Sequence, residues 1–277
     1  MTLSVNTNAG AMVALQNLNK TNMQLEQTQS RINTGLDVAG AKDNGGIYAI
    51  AQRMRSQVSG YGAVTDSLNR AISSVDVALA AGEAISDLLI EMKEKALAGA
   101  DTSLDTASRT ALNEDFTALR DQIKTIVDNA EFNGTNLLNN STAQITALAN
   151  ADGSNTISVQ DENFVLGAAG ALVTIASNAS YSTATQADNI ASQLGTSLDN
   201  VNAALARLGT QSKAIGIHNT FVSKLTDALE TGIGNLVDAD LAKESARLQS
   251  LQVKQQLGIQ ALGIANQRPQ AILSFFQ

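Results

Sequence analysis

Apolar residues recur at alternating steps of three and four from about Ala11 to Leu36. The apolar members of this pattern are Leu15, Leu18, Leu25, Ile32 and Leu36, and Asn22 and Gln29 occupy two polar positions in the same seam. This spacing is the period of a coiled coil, and it also fits an amphipathic helix packed on a globular core. The segment therefore predicts a helix with one apolar stripe. That stripe could pack in a coiled coil or on a globular core, and both interpretations stay open.

A second, much longer pattern of the same kind extends from Ile47 to about Ala96. It follows a break rich in Asp, Asn and Gly at residues 37–46, and only isolated glycines weaken it as a helix. A helix of about 50 residues is about 75 Å long, whereas a compact domain of this chain length is only about 50 Å across. The pattern therefore predicts an elongated helical arrangement.

A third helix and a β region are predicted in mid-chain. Helical spacing resumes from Leu112 to Ala130, and Phe132-Asn-Gly134 should end that helix, because Asn-Gly readily adopts the positive φ of a helix stop. Alternating β-branched residues on either side of Ala151-Asp-Gly153 predict a hairpin with strands at 144–148 and 156–159. The hydroxyl-rich segment 177–183 is predicted to lie on the surface as a solvated loop, an interpretation favoured over an acceptor of sugars.

The last part of the chain repeats the plan of the first part in reverse order. Helical spacing is most regular from Val201 to Leu236 and continues, after Asp238-Ala-Asp240, from Leu241 to Ile264. Aromatic residues make up only 3% of the chain, so its core must be built from small aliphatic contacts, as in helix bundles. The predicted fold class is mainly α: an elongated antiparallel helical bundle or coiled coil with a small β-hairpin region in mid-chain.

Charge and cysteine content exclude several classes of partner. The formal net charge is -8, which repels nucleic acid and anionic membranes, so neither is a predicted partner. Cysteine is absent, which excludes disulfides, thiolate metal sites and thiol catalysis. Residues 1–10 carry no basic head or apolar run, and no stretch approaches the roughly 20 apolar residues of a membrane span. If the chain is exported, we expect a route that needs no cleaved leader.

Candidate chemical sites are few, and each has a simpler structural interpretation. His218 is the only histidine, which leaves little material for a catalytic triad or a multi-histidine metal site. Asp238 and Asp240 lack the further ligands of a calcium loop and fit a helix cap or joint. Residues 43–46 lack the lysine and spacing of a phosphate loop and fit a turn. We therefore predict no enzyme activity, catalytic residue, metal site or cofactor.

The apolar stripes of the two end helices predict self-association. Pairing the two ends within one chain would give a thin helical hairpin that still exposes apolar surface, and such a patch marks an association site. Because both stripes belong to the same chain, neighbouring copies are the simplest cover for them. The predicted polymerisation interface contains Leu15, Leu18, Leu25, Ile32, Leu36, Leu248, Leu251, Leu262, Ile272 and Leu273.

The two ends also resemble those of bacterial flagellin, the subunit of the flagellar filament. Near the N-terminus the similar residues are Asn6-Thr-Asn8, Arg31-Ile-Asn-Thr-Gly-Leu36, Ala41-Lys-Asp43 and Ala49-Ile-Ala-Gln-Arg-Met54. Further along they are Phe132-Asn-Gly134, Asp238-Ala-Asp240 and Ala265-Asn-Gln-Arg-Pro-Gln-Ala-Ile-Leu-Ser274. Their shared order and their placement at both ends carry the resemblance over nearly the whole chain.

The resemblance implies a discontinuous architecture and a structural role. Residues 1–42 and 238–277 would form the coiled coil of a filament core, and residues 43–237 a helical bundle domain with a β-hairpin insertion at about 137–182. The span available for the large outer domains of many relatives is short, so we expect a filament without them. The implied function is a structural subunit that polymerises into the bacterial flagellar filament for motility.

The resemblance further implies a location and partners. The chain would be exported through the flagellar secretion apparatus to the extracellular filament. Its partners would be copies of itself, the export chaperone, the cap and the hook-junction proteins, with sister flagellins as further candidates. Many flagellins carry a segment for an innate immune receptor where this chain has Lys93, Glu94 and Lys95. Lys95 replaces an apolar residue there, so we expect weak recognition unless its charge finds a partner.

Two alternatives stay open at this point. A hook-filament junction protein shares flagellin-like ends, although the closing Asn266-Gln-Arg-Pro269 favours flagellin. A coiled-coil adaptor that binds a foreign helix is a different class, and it predicts a discrete complex rather than filaments.

Overall fold

The computed structural model describes the backbone of residues 8–273 and the side chains of residues 8–267. Helices dominate this part of the chain, so the predicted mainly α fold class is confirmed. The chain divides into two compact units. We call them the terminal unit, which is the described part of residues 1–56 and 228–277, and the middle unit, residues 57–227. The boundaries between the units lie after residues 56 and 227, inside the two longest helices. The predicted domain boundaries lie after residues 42 and 237.

Five helices and four short strands follow one another along the described residues. They are α1 (Ala9–Thr34), α2 (Gly45–Gly99), α3 (Thr106–Asn129), β1 (Glu131–Phe132), β2 (Thr135–Asn136), β3 (Gln144–Leu148), β4 (Thr156–Gln160), α4 (Ala184–Val237) and α5 (Leu241–Leu273). Each predicted helix is confirmed, but α4 begins at Ala184, well before the predicted pattern at Val201. Its first buried positions include Ile190 and Leu194, which extend the predicted spacing toward the start of the helix, together with the smaller Ala187, Ala191 and Ser197.

The core of the middle unit lies between α2, α3 and α4 and the segments that connect them. Its largest fully buried side chains are Leu68, Ile85, Leu89, Met92, Phe116, Ile123, Leu137, Leu138, Phe164, Ile175, Leu194 and Leu208. On each helix the buried positions recur every three or four residues, so the opposite face of that helix is left exposed. Each such side chain contributes about 1.5–3 kcal/mol by burial, so this unit is stabilised from within one chain.

Two antiparallel hairpins lie in mid-chain. The predicted hairpin is confirmed: β3 pairs with β4 from Gln144↔Gln160 to Leu148↔Thr156, and Gly153 supplies the positive φ of its turn. The role predicted for Phe132-Asn-Gly134 is wrong, because α3 already ends at Asn129. Asn133 and Gly134 have φ values of 50° and 79° and join β1 to β2. Two consecutive positive φ angles are the geometry of a type I′ hairpin turn.

The predicted surface segment 177–183 is exposed at most positions, but Tyr181 is an exception. Its side chain is 3% exposed, and its ring centroid lies 5.4 Å from that of Phe116. The hydroxyl donates to the carbonyl oxygen of Lys95 at 2.9 Å. Burial, followed by the nearby charge of Asp115, raises the pKa of Tyr181 to about 12. The aromatic ring therefore anchors an otherwise polar segment to the core.

Candidate functional site

The helices α1 and α5 form an antiparallel pair, which contains most of the residues predicted for polymerisation. The side-chain amide of Asn8 donates to the carbonyl oxygen of Ala265 at 2.7 Å, and Arg31, near the other end of α1, contacts Glu244 near the start of α5. The predicted interface residues that are buried or partly buried between these points are Leu18, Leu25, Ile32, Leu248, Leu251 and Leu262. The spacing of three and four thus selects residues that face the other terminal helix of the same chain.

Polar side chains in this seam fix how α1 and α5 align. Gln255 Nε2 donates to Asn22 Oδ1 at 2.9 Å, and sliding either helix would leave both amides unpaired. The polar position predicted at Gln29 is wrong, because Gln29 is exposed and Thr28 is 1% exposed. Close packing also limits the alignment, since a Cβ at Gly258 would lie 3.3 Å from Leu18 Cδ1.

An ionic cluster lies at one end of the seam. Arg31 Nη1 is 2.6 Å from Asp37 Oδ1 and 3.2 Å from Glu244 Oε1. The Glu244 side chain is only 7% exposed, and Arg247 Nη1 lies 3.8 Å from the same oxygen. A carboxylate buried to this degree needs a cationic partner, and its place in the first turn of α5 is favoured by the helix dipole. Local spacing could not reveal this cluster, because Arg31 and Glu244 lie near opposite ends of the chain.

Backbone hydrogen bonds tie the two predicted joints to each other. The amide of Asp37 donates to the carbonyl oxygen of Val237 at 2.7 Å, and the amide of Ala239 donates to that of Gly35 at 2.9 Å. Leu36, one of the predicted interface residues, packs half-buried against the apolar cluster of Val38, Ala51 and Val237. Leu36 therefore holds the joints together within the chain.

The acidic residues of the joints cap backbone groups, as predicted. Asp240 Oδ1 accepts hydrogen bonds from the amides of residues 242 and 243 and so caps the start of α5. Asp43 Oδ2 accepts from the amides of residues 39 and 40, and Asn44 Oδ1 accepts from those of residues 46 and 47. The turn interpretation of residues 43–46 is therefore confirmed only for Asp43 and Asn44, because Gly45 and Gly46 already form the start of α2.

A different set of apolar residues covers the outside of the α1–α5 pair. These residues are Met12, Val13, Leu15, Met23, Leu241, Val253, Leu257, Ile259 and Ile264. Only Leu15, at 48% exposed, belongs to the predicted interface. The side chains of Ile272 and Leu273 lie outside the described residues. Leu241, Leu257 and Ile264 belong to the predicted helical pattern, whereas Met12, Val13, Met23, Val253 and Ile259 lie off it. In neither case does the sequence show that the side chain faces outward.

The segment Lys93, Glu94 and Lys95 lies on α2 in the middle unit. Lys93 and Glu94 are exposed, whereas the ammonium group of Lys95 pairs with Asp115 Oδ2 of α3 at 3.1 Å. The charge of Lys95 therefore has a partner inside its own chain. Whether any immune receptor binds this segment remains a prediction.

The remaining candidate chemistry is structural. His218 Nε2 lies 2.8 Å from the carbonyl oxygen of Ala149, and its ring centroid is 5.9 Å from that of Phe221. Within the described residues, no three His, Cys, Asp or Glu side chains are placed to hold a metal ion. No helix in that same part of the chain is both long and apolar enough to cross a membrane.

Comparison with known proteins agrees with the geometry at both ends. Residues 5–143 match the bacterial flagellin N-terminal helical region, and residues 191–276 match the bacterial flagellin C-terminal helical region. The chain is 53% identical to flagellin FljK and 52% identical to flagellin FljM of Caulobacter vibrioides, in each case over 99% of this chain and 98% of the relative. It is 36% identical to a flagellin of Brucella melitensis over 99% of both chains. The chain therefore belongs to the bacterial flagellin family.

Proposed function

We propose that the outer apolar surface of α1 and α5 is where copies of this chain contact one another in the filament. As a member of the flagellin family, the chain is a structural subunit that polymerises into the extracellular flagellar filament and serves motility. The family is structural, which agrees with the prediction that the chain is not an enzyme. The proposal concerns which side chains make the contact.

One observation carries this proposal: the exposed apolar side chains are concentrated on the terminal helices. Of the fourteen large apolar side chains that are exposed in the described part of the chain, nine lie on α1 and α5. These two helices contain fewer than a quarter of the described residues. An exposed apolar surface of this kind is stabilised when another molecule covers it.

A groove between α1 and α5 offers a receiving site for apolar side chains from another copy. It has a volume of about 440 Å³ and is lined by Gly10, Val13, Ala14, Asn17, Leu257, Gly258, Ala261 and Ala265. Most of these residues are small, so the backbones of both helices are open to close approach. Leu257 and Val13 stand at the edge of the groove as exposed apolar side chains, where a neighbour would bury them.

The seam residues have an indirect part in this proposal. Leu18, Leu25, Ile32, Leu248, Leu251 and Leu262 hold α1 against α5, and so they shape the outer surface rather than form it. Leu15 belongs to the outer surface itself. Leu36 positions the joints, while Ile272 and Leu273 keep their predicted place in the interface.

We further propose the finer partners and the export route that family membership suggests. The chain is exported through the flagellar secretion apparatus without a cleaved signal peptide. Its partners, besides its own copies, are an export chaperone, the cap, the hook-junction proteins and sister flagellins. The exposed apolar surface of α1 and α5 supports the chaperone in particular, because that surface needs a cover until the subunit reaches the filament.

Replacing outer apolar side chains tests the proposed surface. In the variant Leu257→Gln/Ile264→Gln, we expect the concentration needed for filament growth to rise at least tenfold. Each side chain forfeits about 1.5–3 kcal/mol of burial in the polymer but little in the free chain. Sedimentation of polymer and electron microscopy would measure this. Filament growth at the wild-type concentration would contradict the proposal.

The matched control alters exposed polar residues on the same helix. Gln256→Ala/Gln260→Ala should leave the concentration for growth unchanged, because both side chains are exposed and polar. Circular dichroism of each free variant should equal that of the wild type. A change shared by the control and the test variant would point to the stability of α5 rather than to a contact between copies.

A truncation tests the same proposal on a larger scale. Deleting residues 262–277 removes Ile264 of the outer surface and Ala265, one of the residues that line the groove, and it should abolish filament formation. The core of the middle unit contains none of the deleted residues, so its unfolding transition should persist. Filaments of normal appearance from this truncation would refute the assignment of the surface to α1 and α5.

A further inference from the structure

The exposed face of α2 in the middle unit combines acidic and apolar side chains. We call Glu83, Asp87, Ile90, Glu94 and Leu97 the acidic stripe. These residues recur every three or four positions and are all exposed, with Ile90 at 55% and Leu97 at 64%. Asp76 continues the stripe toward the start of α2, and Glu91 and Lys93 flank it on opposite sides, so the face stays negative overall. Two large apolar side chains on an acidic face are favourable where a partner covers them.

The exposed face of α4 has the opposite charge. We call Lys213, Ile217, Phe221 and Lys224 the basic stripe. All four are exposed, with Ile217 at 63% and Phe221 at 55%. Residues 200–226 contain no Asp or Glu, and Arg207, the other cation of this segment, is already paired with Glu162 at 2.6 Å. The stripe therefore has a lysine at each end of an apolar centre, and the nearest carboxylate on this face is Asp227, one turn beyond Lys224.

One copy of the chain cannot bring its own two stripes together. The acidic stripe lies on the face of α2 opposite Ile85, Leu89 and Met92, which are buried in the core of the middle unit. The basic stripe likewise lies opposite the buried residues Ile215 and Val222 of α4. Both stripes thus point away from the core that the two helices share. No ion pair to the charged members of either stripe is found among the described residues.

The charged ends of the two stripes have the same spacing. Glu83 and Glu94 are eleven residues apart, and so are Lys213 and Lys224. Eleven residues of α-helix span three turns, or about 16.5 Å. When one helix lies along the other, both lysines can meet a glutamate. Ile90 then lies level with Phe221 if the helices are parallel, or with Ile217 if they are antiparallel. Charge and spacing therefore select the basic stripe as the match for the acidic stripe.

We propose that the acidic stripe of one copy docks on the basic stripe of a neighbouring copy. The inference rests on the proposed function, because it adds a second contact between subunits of the same polymer. The contact joins two different faces, so a row of bound copies always has one free acidic stripe at one end and one free basic stripe at the other. Such a heterologous contact repeats from subunit to subunit, as growth of a filament requires.

Charge reversal tests the docking directly. Glu83→Lys/Glu94→Lys and Lys213→Glu/Lys224→Glu each place like charges at both ends of the contact. Exposed ion pairs contribute about 0.2–1 kcal/mol each, and reversal adds repulsion, so each variant alone should need about ten times more protein for filament growth. An equimolar mixture of the two should polymerise near the wild-type concentration, because each reversed stripe then meets its complement on the other variant.

A control separates this contact from a general effect of charge. Glu114→Lys/Asp188→Lys makes the same change in net charge as Glu83→Lys/Glu94→Lys at exposed residues outside both stripes, and it should polymerise as the wild type does. The chain with all four stripe substitutions keeps the native net charge of -8 and should also grow normally. Equal thermal unfolding of the free variants would confirm that the folds are intact.

The possible outcomes distinguish this inference from the proposed function. Normal growth of both reversed variants, or loss of growth that neither the mixture nor the fourfold variant restores, would overturn the docking of the stripes. Either result leaves the proposed α1–α5 surface untested, because Leu257→Gln/Ile264→Gln and the truncation of residues 262–277 test that surface separately. If Leu257→Gln/Ile264→Gln grows normally while each charge-reversed variant grows only in the mixture, the result supports docking of the stripes and contradicts the proposed contact through α1 and α5.

Discussion

The helices of the terminal unit and of the middle unit have the same spacing of apolar residues, yet the two units bury these side chains to different degrees. In the middle unit α3 and the segments between the helices add to the cover of α2 and α4, and the core is continuous. In the terminal unit α1 and α5 have only each other, so Leu251 is buried but most seam residues are only half-buried. Each helix of a two-helix pair can cover only one apolar stripe of the other. The remaining apolar surface of both helices can be buried only by other copies of the chain.

The two units also differ in what makes their packing specific. The middle unit relies on the shape of large buried side chains, among them Phe116, Phe164 and Leu89. The seam of the terminal unit relies on polar contacts, namely Asn22 with Gln255 and Arg31 with Glu244. A half-exposed apolar seam tolerates sliding, whereas unpaired amides and charges do not. Polar contacts are thus the more effective way to align a pair of helices that has little core.

The largest effect is expected in the middle unit. Phe116→Ala should lower the free energy of unfolding by about 4 kcal/mol, because it leaves a cavity where a fully buried ring contacts Tyr181. Phe221→Ala is the matched control: this ring is 55% exposed, and its loss should change stability by less than about 0.5 kcal/mol. Urea denaturation of the free chain would measure both. Equal effects of the two substitutions would contradict the assignment of the core.

A smaller effect is expected in the seam of the terminal unit. Leu251→Ala should destabilise the α1–α5 pair by about 2–3 kcal/mol, because Leu251 is 3% exposed there. Leu257→Ala removes the same atoms from the outside of α5, where the side chain is 57% exposed. It should weaken polymerisation and leave the free pair intact. Hydrogen exchange of the α1 amides would distinguish the two variants. Similar protection of these amides in both variants would contradict the assignment of Leu251 to the seam and of Leu257 to the outer surface.

The ionic cluster should contribute slightly less than Leu251. Arg31→Met should cost about 2 kcal/mol, because it leaves the buried carboxylate of Glu244 without its nearest cation. The double variant Arg31→Met/Glu244→Met removes that unpaired charge and should recover most of the loss. Hydrogen exchange near the joints would follow both variants. A double variant that is less stable than Arg31→Met would show that Glu244 is not held in place by Arg31.

The fold could be predicted because its signals are local. The helix pattern, the hairpin around Gly153 and the caps of the joints depend on neighbours a few residues away, and the structure confirms them. Tyr181 could not be placed, because its neighbours in sequence are polar and its partners, Phe116 and Lys95, are distant in the chain. The turn at Asn133 was misread because Asn-Gly suits a helix stop and a type I′ turn equally well.

The candidate site was predictable only in part for a similar reason. Periodicity identifies a helix face that needs a cover, but it does not say which molecule supplies the cover. Leu18 and Leu251 were therefore assigned to contacts between copies, although they face each other's helix within one chain. The exposed Leu257 and Ile264 belong to the same predicted helical pattern as Leu251 and Leu262, so only the positions of α1 and α5 in the folded chain separate them from the seam.

The smallest expected effect concerns a helix cap of the middle unit, where pH separates charge from hydrogen bonding. Hydrogen bonds from the hydroxyl and amide of Ser108 lower the pKa of Asp105, whose carboxylate caps α3. A folded-state pKa below the unfolded value means that the ionised cap stabilises the fold above pH of about 4, and that this contribution is lost as pH falls through the folded pKa. Asp105→Asn keeps a capping side chain without the charge, so its melting temperature should lie slightly below that of the wild type at pH 7 and converge with it in acid. A gap between the two melting temperatures that stays constant from pH 7 to the acid limit would show that the charge of Asp105 has no part in the cap.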